Sequence, residues 1–381
     1  MDLPELELTG ARVLRPDGWD DGPVAMGGGR ISGGGGRQVD LSGCLILPGI
    51  VDLHGDAFER HLAPRRGAMT DLGAGFAALD AELAAQGITT AVLAQFYSYE
   101  GGMRRPDFAE RMVDALAVAR PGLLTDMRLQ LRFETHMLDD YDRVQALIDR
   151  AGIGYVVYND HLPHDALAAG KKPPRLTGQA LKSRRSPEAH LALMQDMHAR
   201  RDQVPAALAA LSERLLAKGV LLGSHDDATP EVRAGFREMG VRIAEFPETR
   251  DAAQAAKDAG DPVILGAPNV MRGASHAGNV SAIELILDGI GDALVSDYHY
   301  PAPLRAAFAL GDRGLPLEHA WPLVSAGPAA ILGLDDRGQL APGKRADLIV
   351  VDSANRRVGA TFVAGRLAFA AGRIGHQLMQ G

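Results

Sequence analysis

The sequence has almost no cysteine: Cys44 stands alone among 381 residues. That excludes an intrachain disulfide framework and a thiolate zinc cluster. Positive charge is also in deficit, since 40 Lys and Arg face 48 Asp and Glu and leave a net charge of −8. Such a field repels nucleic acid and free polyphosphate, and no basic, aromatic-interleaved stripe opposes it. Nor does any uncharged run approach the roughly 20 residues of a membrane span. The opening MDLPELELTG lacks the basic start and apolar core of a signal peptide. A cytoplasmic protein acting on a small molecule is expected, with neither nucleic acid nor membrane as partner. No short-period repeat is visible. The glycine-rich segment Met26–Arg37 lacks the Lys-Ser/Thr and the helix of a phosphate loop, so it is read as turns.

What the sequence does contain is alternation. Eight short apolar runs read as buried strands: GIVDLH, GITTAVLAQ, MRLQLRFE, IGYVVYND, GVLLGSH, GVRIAEFP, PVILGAP and ALVSDY. Helical segments lie between them, including Asp71–Gln86, Asp107–Arg120, Asp139–Arg150 and Thr229–Met239. The last has its punctuation in place: Thr229 as cap, Pro230 at the first position, Gly240 as stop. Strands alternating with helices imply a parallel sheet, and eight of them close a (β/α)8 barrel, here expected over residues 47–337. Residues 1–46 and 338–381 look like short antiparallel strands that join into one small β-sandwich domain. Between the fourth and fifth strands, Leu162 to Lys218 forms a long excursion. Its basic part, GKKPPRLTGQALKSRRSPE, is expected as loop or lid, followed by two helical stretches.

In such a barrel the functional side chains project from the C-terminal strand ends. The polar residues there are His54 and Asp56, Glu134, Asp160 and His161, then His225, Asp226 and Asp227, Glu245 and Asp297. Imidazoles and carboxylates are ligands for zinc, manganese or iron, and their mixture permits one or two metals. Each has a plainer reading: His161 as a hydrogen-bonded loop residue, Glu245 as an ion-pair partner, Asp227 as a helix cap. Their coincidence at equivalent positions on separate strands favours a metal site.

The segments LPGIVDLHGD, GITTAVLA, SHDD, SDY and GQLAPGKRADLIVVD resemble the amidohydrolase superfamily of metal-dependent hydrolases. HGDAFERHLAPRRGA, SHDDATPE, AEFPET, GAPNVMRGASHAGNVSA and SDYHYPAPL narrow the resemblance to diphosphatases of the carbon–phosphorus lyase pathway. That resemblance implies hydrolysis of α-D-ribose 1-methylphosphonate 5-triphosphate to the 5-phosphate and pyrophosphate. It implies one or two divalent ions, zinc foremost with manganese or iron as alternatives, on His54, Asp56, Glu134, His161 and His225. Asp297 would contact the metal water and relay its proton. Arg65, Arg272, His276, Lys172 and Glu245 are the substrate and phosphate candidates. The pattern departs from the superfamily in three places. Asp56 replaces a second histidine, the strand-six histidine is absent with Glu245 nearby, and Glu134 stands in for the bridging lysine. A homodimer, or association with other proteins of phosphonate metabolism, fits this reading. The alternatives are C–N bond hydrolysis, as in a deacetylase or cyclic amidase, and an inactive barrel acting as a binding partner.

Overall fold

The computed structural model describes residues 5–65, 71–273 and 280–380. Seven short strands open the chain: β1 (Leu6–Thr9), β2 (Arg12–Arg15), β3 (Gly18–Asp20), β4 (Val24–Gly27), β5 (Arg30–Ser32), β6 (Arg37–Asp40) and β7 (Cys44–Pro48). Eight parallel strands follow: β8 (Ile50–Gly55), β9 (Ile88–Tyr97), β10 (Asp126–Glu134), β11 (Tyr155–Asn159), β12 (Leu221–His225), β13 (Ile243–Glu245), β14 (Val263–Gly266) and β15 (Ala293–Val295). Three more close the chain: β16 (Leu348–Asp352), β17 (Val358–Val363) and β18 (Arg366–Ala370).

The eight central strands form one sheet in chain order. A parallel bridge between Gly55 and Asp297 brings β15 back to β8, which makes the fold a (β/α)8 barrel. Covering both faces of a parallel sheet requires strands that are apolar throughout. All ten residues of β9 and all five of β11 are accordingly buried. Helices supply the cover with one apolar stripe each. In Tyr141–Ala151 the buried residues are Tyr141, Val144, Leu147 and Ile148, three and four apart. That helix stops at Gly152, whose φ of 60° is the left-handed conformation glycine adopts at little cost. Thr229 caps the helix Pro230–Glu238 by accepting from the Val232 amide, as its sequence signature predicts.

The chain divides into two compact units. One comprises residues up to Leu93, Ala119–Arg128 and everything from Ile264 onward; the other comprises Ala94–Val118 and Leu129–Val263. In the first unit β8 pairs with β9, and β14 with β15. It also holds both chain ends, in a four-stranded sheet ordered β5-β4-β1-β6 and a six-stranded sheet ordered β18-β17-β16-β7-β2-β3. The antiparallel register of β16 on β7 sets Leu348 opposite Pro48 and Asp352 opposite Cys44. Leu8, Ile46, Leu348, Val350 and Phe362 share the resulting apolar core. Buried Arg337 ties the return segment down, donating to Thr90 Oγ1 at 2.9 Å and to Asp126 Oδ2 at 2.7 Å.

The second unit holds β10 to β13 in parallel pairing, with its own core around Phe133, Val144, Val156, Leu211 and Val241. The excursion after β11 is more helical than expected. Its basic part contains the helix Leu176–Lys182, with Leu176 and Ala180 buried on one face, ahead of Pro187–Ala199 and Val204–Leu216. A four-residue spacing of only two apolar side chains is too brief to be read as periodicity among so many cations. Among the described residues no helix is long and apolar enough to cross a membrane.

Candidate metal centre

The second unit builds its polar cluster from the ends of four adjacent strands. Along β10, side chains alternate, so Gln130, Arg132 and Glu134 share one face while Leu131 and Phe133 take the other. Glu134 is fully buried. Its Oε1 accepts from the His161 amide at 2.6 Å, and its Oε2 lies 3.0 Å from His161 Nδ1. Burial alone would lower the His161 pKa, but the charge and hydrogen bond of Glu134 outweigh it and hold the imidazole above its ordinary value.

His225 ends β12 and Glu245 ends β13, three hydrogen-bonded register pairs along. Glu245 is fully buried; its Oε1 accepts from Gln130 Nε2 at 2.6 Å and from the Tyr155 hydroxyl, and its Oε2 lies 3.3 Å from His225 Nδ1. On the opposite side of the ring, Arg132 Nη2 is 2.8 Å from His225 Nε2. A guanidinium only donates, so Nε2 carries the lone pair and the proton sits on Nδ1, facing Glu245. Phe246 follows in the left-handed region at φ 53° and meets the His225 ring edge-on at 5.0 Å. For a bulky residue that conformation is an outlier, of a kind that clusters at functional sites.

Arg132 escapes sequence reading. It is 4% exposed, its guanidinium lies 4.0 Å from the Phe96 ring centre, and Arg104 lies 3.8 Å from the same ring. The available signal was the polar alternation Gln130, Arg132, Glu134 in a strand otherwise apolar at its end. Asp227, by contrast, is spent structurally: with 1% exposure it accepts from Ser224 Oγ at 2.7 Å and from Arg233 Nη1 at 3.1 Å. It is therefore not the helix cap, a role Thr229 fills alone.

In the first unit His54 is fully buried at the end of β8. The Asp297 amide donates to His54 O at 3.0 Å, and the Asp56 amide donates to Asp297 O at 2.9 Å, so these three positions interlock through backbone. Asp297 has φ 53°, tolerable for aspartate. Gly55, between His54 and Asp56, has no alternative: a Cβ there would stand 2.8 Å from Asp52 Oδ2, Ser296 Oγ and Tyr300 Cε1. Asp52 below it is buried, which raises its pKa against the Ser296 hydrogen bonds that favour the charged form.

The cations expected for phosphate are distributed less tightly. Arg65, Lys172 and Arg272 are exposed, Arg272 with its guanidinium 5.8 Å from the Tyr298 ring. His276 lies outside the described residues. Arg60, in the short helix Glu59–Leu62 ahead of Arg65, is paired with Glu82, which His61 also contacts. Burial would raise the Glu82 pKa, but those two partners hold it below its usual range. Arg185 is likewise engaged, donating to Tyr99 O at 3.1 Å. Glu245, expected near substrate, is the partner of His225.

Comparisons with known proteins accord with this architecture. Residues 134–368 match the model of the amidohydrolase family. The chain is 33% identical over 328 residues to the alpha-D-ribose 1-methylphosphonate 5-triphosphate diphosphatase of Escherichia coli K12, covering 82% of this chain and 85% of that one. Among solved structures it is similar to N-acetyl-D-glucosamine-6-phosphate deacetylase from Mycobacterium smegmatis, with TM-score 0.62 at 20% identity, over 96% of this chain and 100% of that one. It is also similar to a beta-aspartyl dipeptidase from Fervidobacterium islandicum, with TM-score 0.62 at 14% identity, over 97% and 98% of the two chains. With its barrel order, its matched family segment and this extent of identity, the chain belongs to the amidohydrolase family of hydrolases.

Proposed function

We propose that the protein is a cytoplasmic, metal-dependent diphosphatase of phosphonate metabolism, hydrolysing α-D-ribose 1-methylphosphonate 5-triphosphate to the 5-phosphate and pyrophosphate. The observation that carries this reading is the 33% identity, over 82% of the chain, to a diphosphatase with that substrate in its name. The solved relatives, at 14% and 20% identity, speak for the fold only.

The donor set suits a divalent cation. Buried Glu134 is an anionic oxygen donor; the lone pair of His225 Nε2, directed away from Glu245, accepts from Arg132 and would exchange that guanidinium for the ion. His54, Asp56, Glu134, His161 and His225 would hold one or two ions, zinc being the natural choice for imidazole and carboxylate. When bound, such an ion supplies Lewis acidity, which lowers the pKa of water and offsets phosphoryl charge. The chain's own groups do the rest. Asp297 takes the proton of the attacking water, and Glu245 keeps the His225 proton on Nδ1. Arg132 faces the charge that develops on phosphoryl oxygens in the transition state. Arg65, Lys172, Arg272 and His276 would bind the remaining phosphate charge.

Pyrophosphate and phosphate release should be measured from ribose and nucleoside 5′-triphosphates, with and without chelator, alongside amine release from acylated sugars and dipeptides. Pyrophosphate from a ribose triphosphate, abolished by chelator, is the expected result. Amine release without pyrophosphate would overturn the diphosphatase reading, and chelator-insensitive turnover would overturn the metal.

A further inference from the structure

A second constellation in the same unit is not used by that chemistry. Two strand ends each carry an acid followed by a histidine, Glu134-Thr135-His136 at the end of β10 and Asp160-His161 just after β11. Glu134 takes His161, as described. Asp160 turns instead to His136 and to His164, which begins the helix His164–Ala168 in the excursion. His136 Nδ1 is 3.4 Å from Asp160 Oδ1, with the Thr135 hydroxyl also at 3.4 Å. His164 Nε2 is 3.1 Å from Asp160 Oδ1 and 3.0 Å from Oδ2. One ligand atom from each of His136, Asp160 and His164 lies within 4.8 Å of the others.

We propose that His136, Asp160 and His164 form a second zinc site, separate from the hydrolytic centre, that fastens the Leu162–Lys218 excursion to the ends of β10 and β11. The chemistry is that of zinc: two imidazoles and a carboxylate, with water completing the tetrahedron. Ligand atoms at about 2.0–2.1 Å from a tetrahedral ion are roughly 3.3–3.4 Å apart. The separations of both imidazole nitrogens from Asp160 are close to that edge, and the two nitrogens lie within 4.8 Å of each other, so the side chains would draw together around the ion. His198, near the end of the helix Pro187–Ala199, supplies the outer support. Its Nδ1 is 2.8 Å from His164 Nδ1. With His164 Nε2 on the ion, its Nδ1–H donates to His198 and fixes the tautomer, the arrangement ligating histidines regularly adopt. Burial sets the order of access: His136 is 7% exposed, whereas Asp160 is exposed and His164 and His198 are half-buried, so the ion arrives from solvent.

The alternative is a hydrogen-bonded chain without metal, Asp160 accepting from His136 and His164 and His164 accepting from His198. The two differ in zinc stoichiometry. Chelator-stripped protein should be dialysed to equilibrium against buffered zinc and the bound metal counted by mass spectrometry. Asp160→Asn and the double variant His136→Gln/His164→Gln should each hold one zinc fewer per chain than wild type, while His225→Asn keeps that ion. His198→Ala should retain it with about 10- to 100-fold weaker affinity. Equal stoichiometry in wild type and the Asp160 and double variants would overturn the site. A measurement on wild type alone guards against variants that fail to fold. Zinc should protect His164, whose two ring nitrogens are then both engaged, from acylation by diethyl pyrocarbonate, and unchanged labelling of His164 would refute the proposal. None of these outcomes depends on whether the enzyme releases pyrophosphate.

Discussion

Two arginines of the same unit are almost equally buried, Arg132 at 4% and Arg233 at 1%, yet they occupy opposite kinds of place. Arg233 spends its donors on the protein frame: Ser224 Oγ at 2.8 Å, Asp227 Oδ2 at 3.1 Å, Ile243 O at 3.3 Å, and Val241 O. Arg132 lies over Phe96, donates to Asn159 Oδ1 at a long 3.4 Å and aims another donor at the His225 ring. A guanidinium closed off by carboxylate and carbonyls is a strut. One that rests on an aromatic face and touches an imidazole keeps its charge directed at whatever that imidazole serves. Burial by itself therefore does not separate structural from functional cations; the identity of the acceptors does.

Breaking the strut should have the largest effect. Arg233→Met leaves Asp227 buried without its cation and removes the hydrogen bonds to Val241 O and Ile243 O, at a cost of about 3–5 kcal/mol. The urea midpoint should fall accordingly, while turnover per folded molecule changes little; a loss of turnover without a loss of stability would reverse the two assignments. Arg132→Met should do the opposite. It should lower kcat about 100-fold, the scale of removing one preorganised charge donor, with a smaller change in urea midpoint. Steady-state kinetics on the pyrophosphate assay decide it.

Arg337 sharpens the comparison with a third case, a strut whose carboxylate, Asp126, is partly exposed at 23%. Burial would raise the Asp126 pKa, but Arg128 and Arg337 outweigh it and hold it below the usual value. A depressed carboxylate contributes stability that is complete above the unfolded pKa near 3.9 and is lost as pH falls through the folded value. Stability should thus decline from about pH 4 downward in wild type, and less steeply in Asp126→Asn. Denaturant midpoints taken at steps between pH 6 and pH 3 measure the difference, and equal slopes would remove the pair from the account. The smallest effect belongs to Thr229→Ala, which deletes only a cap beside Arg233 and should cost about 1 kcal/mol in the same assay.

Much of the frame was legible in the amino-acid order. The eight strands announce themselves as mostly apolar, β-branched runs because a parallel sheet is buried on both faces, with polar side chains such as Gln130, Arg132 and Glu134 of β10 confined to one face. The helix 230–238 was readable to the residue from Thr229, Pro230 and Gly240, since caps are local chemistry. Glu134, His161, His225 and Glu245 could be nominated because strand ends can be read from the same runs. Their pairings could not: that Glu134 holds His161 and Glu245 holds His225 depends on the register between neighbouring strands. Asp227 looked like a cap because Thr229 is close in sequence, but Arg233 reaches it only after the helix has turned back on β12. Lys172 and Arg272, candidates for phosphate, are exposed, whereas Arg60 is claimed by Glu82 from the next helix.

The sequence alone determined the class of fold and the residue types available at the mouth of each strand, because periodicity and capping are properties of a few consecutive residues. Tertiary structure decided which of those residues are joined. His136, Asp160, His164 and His198 span more than sixty positions and come together only when the excursion folds back over β10 and β11. A contact between side chains that far apart leaves no periodic trace, since it is fixed by strand register and helix packing rather than by spacing along the chain.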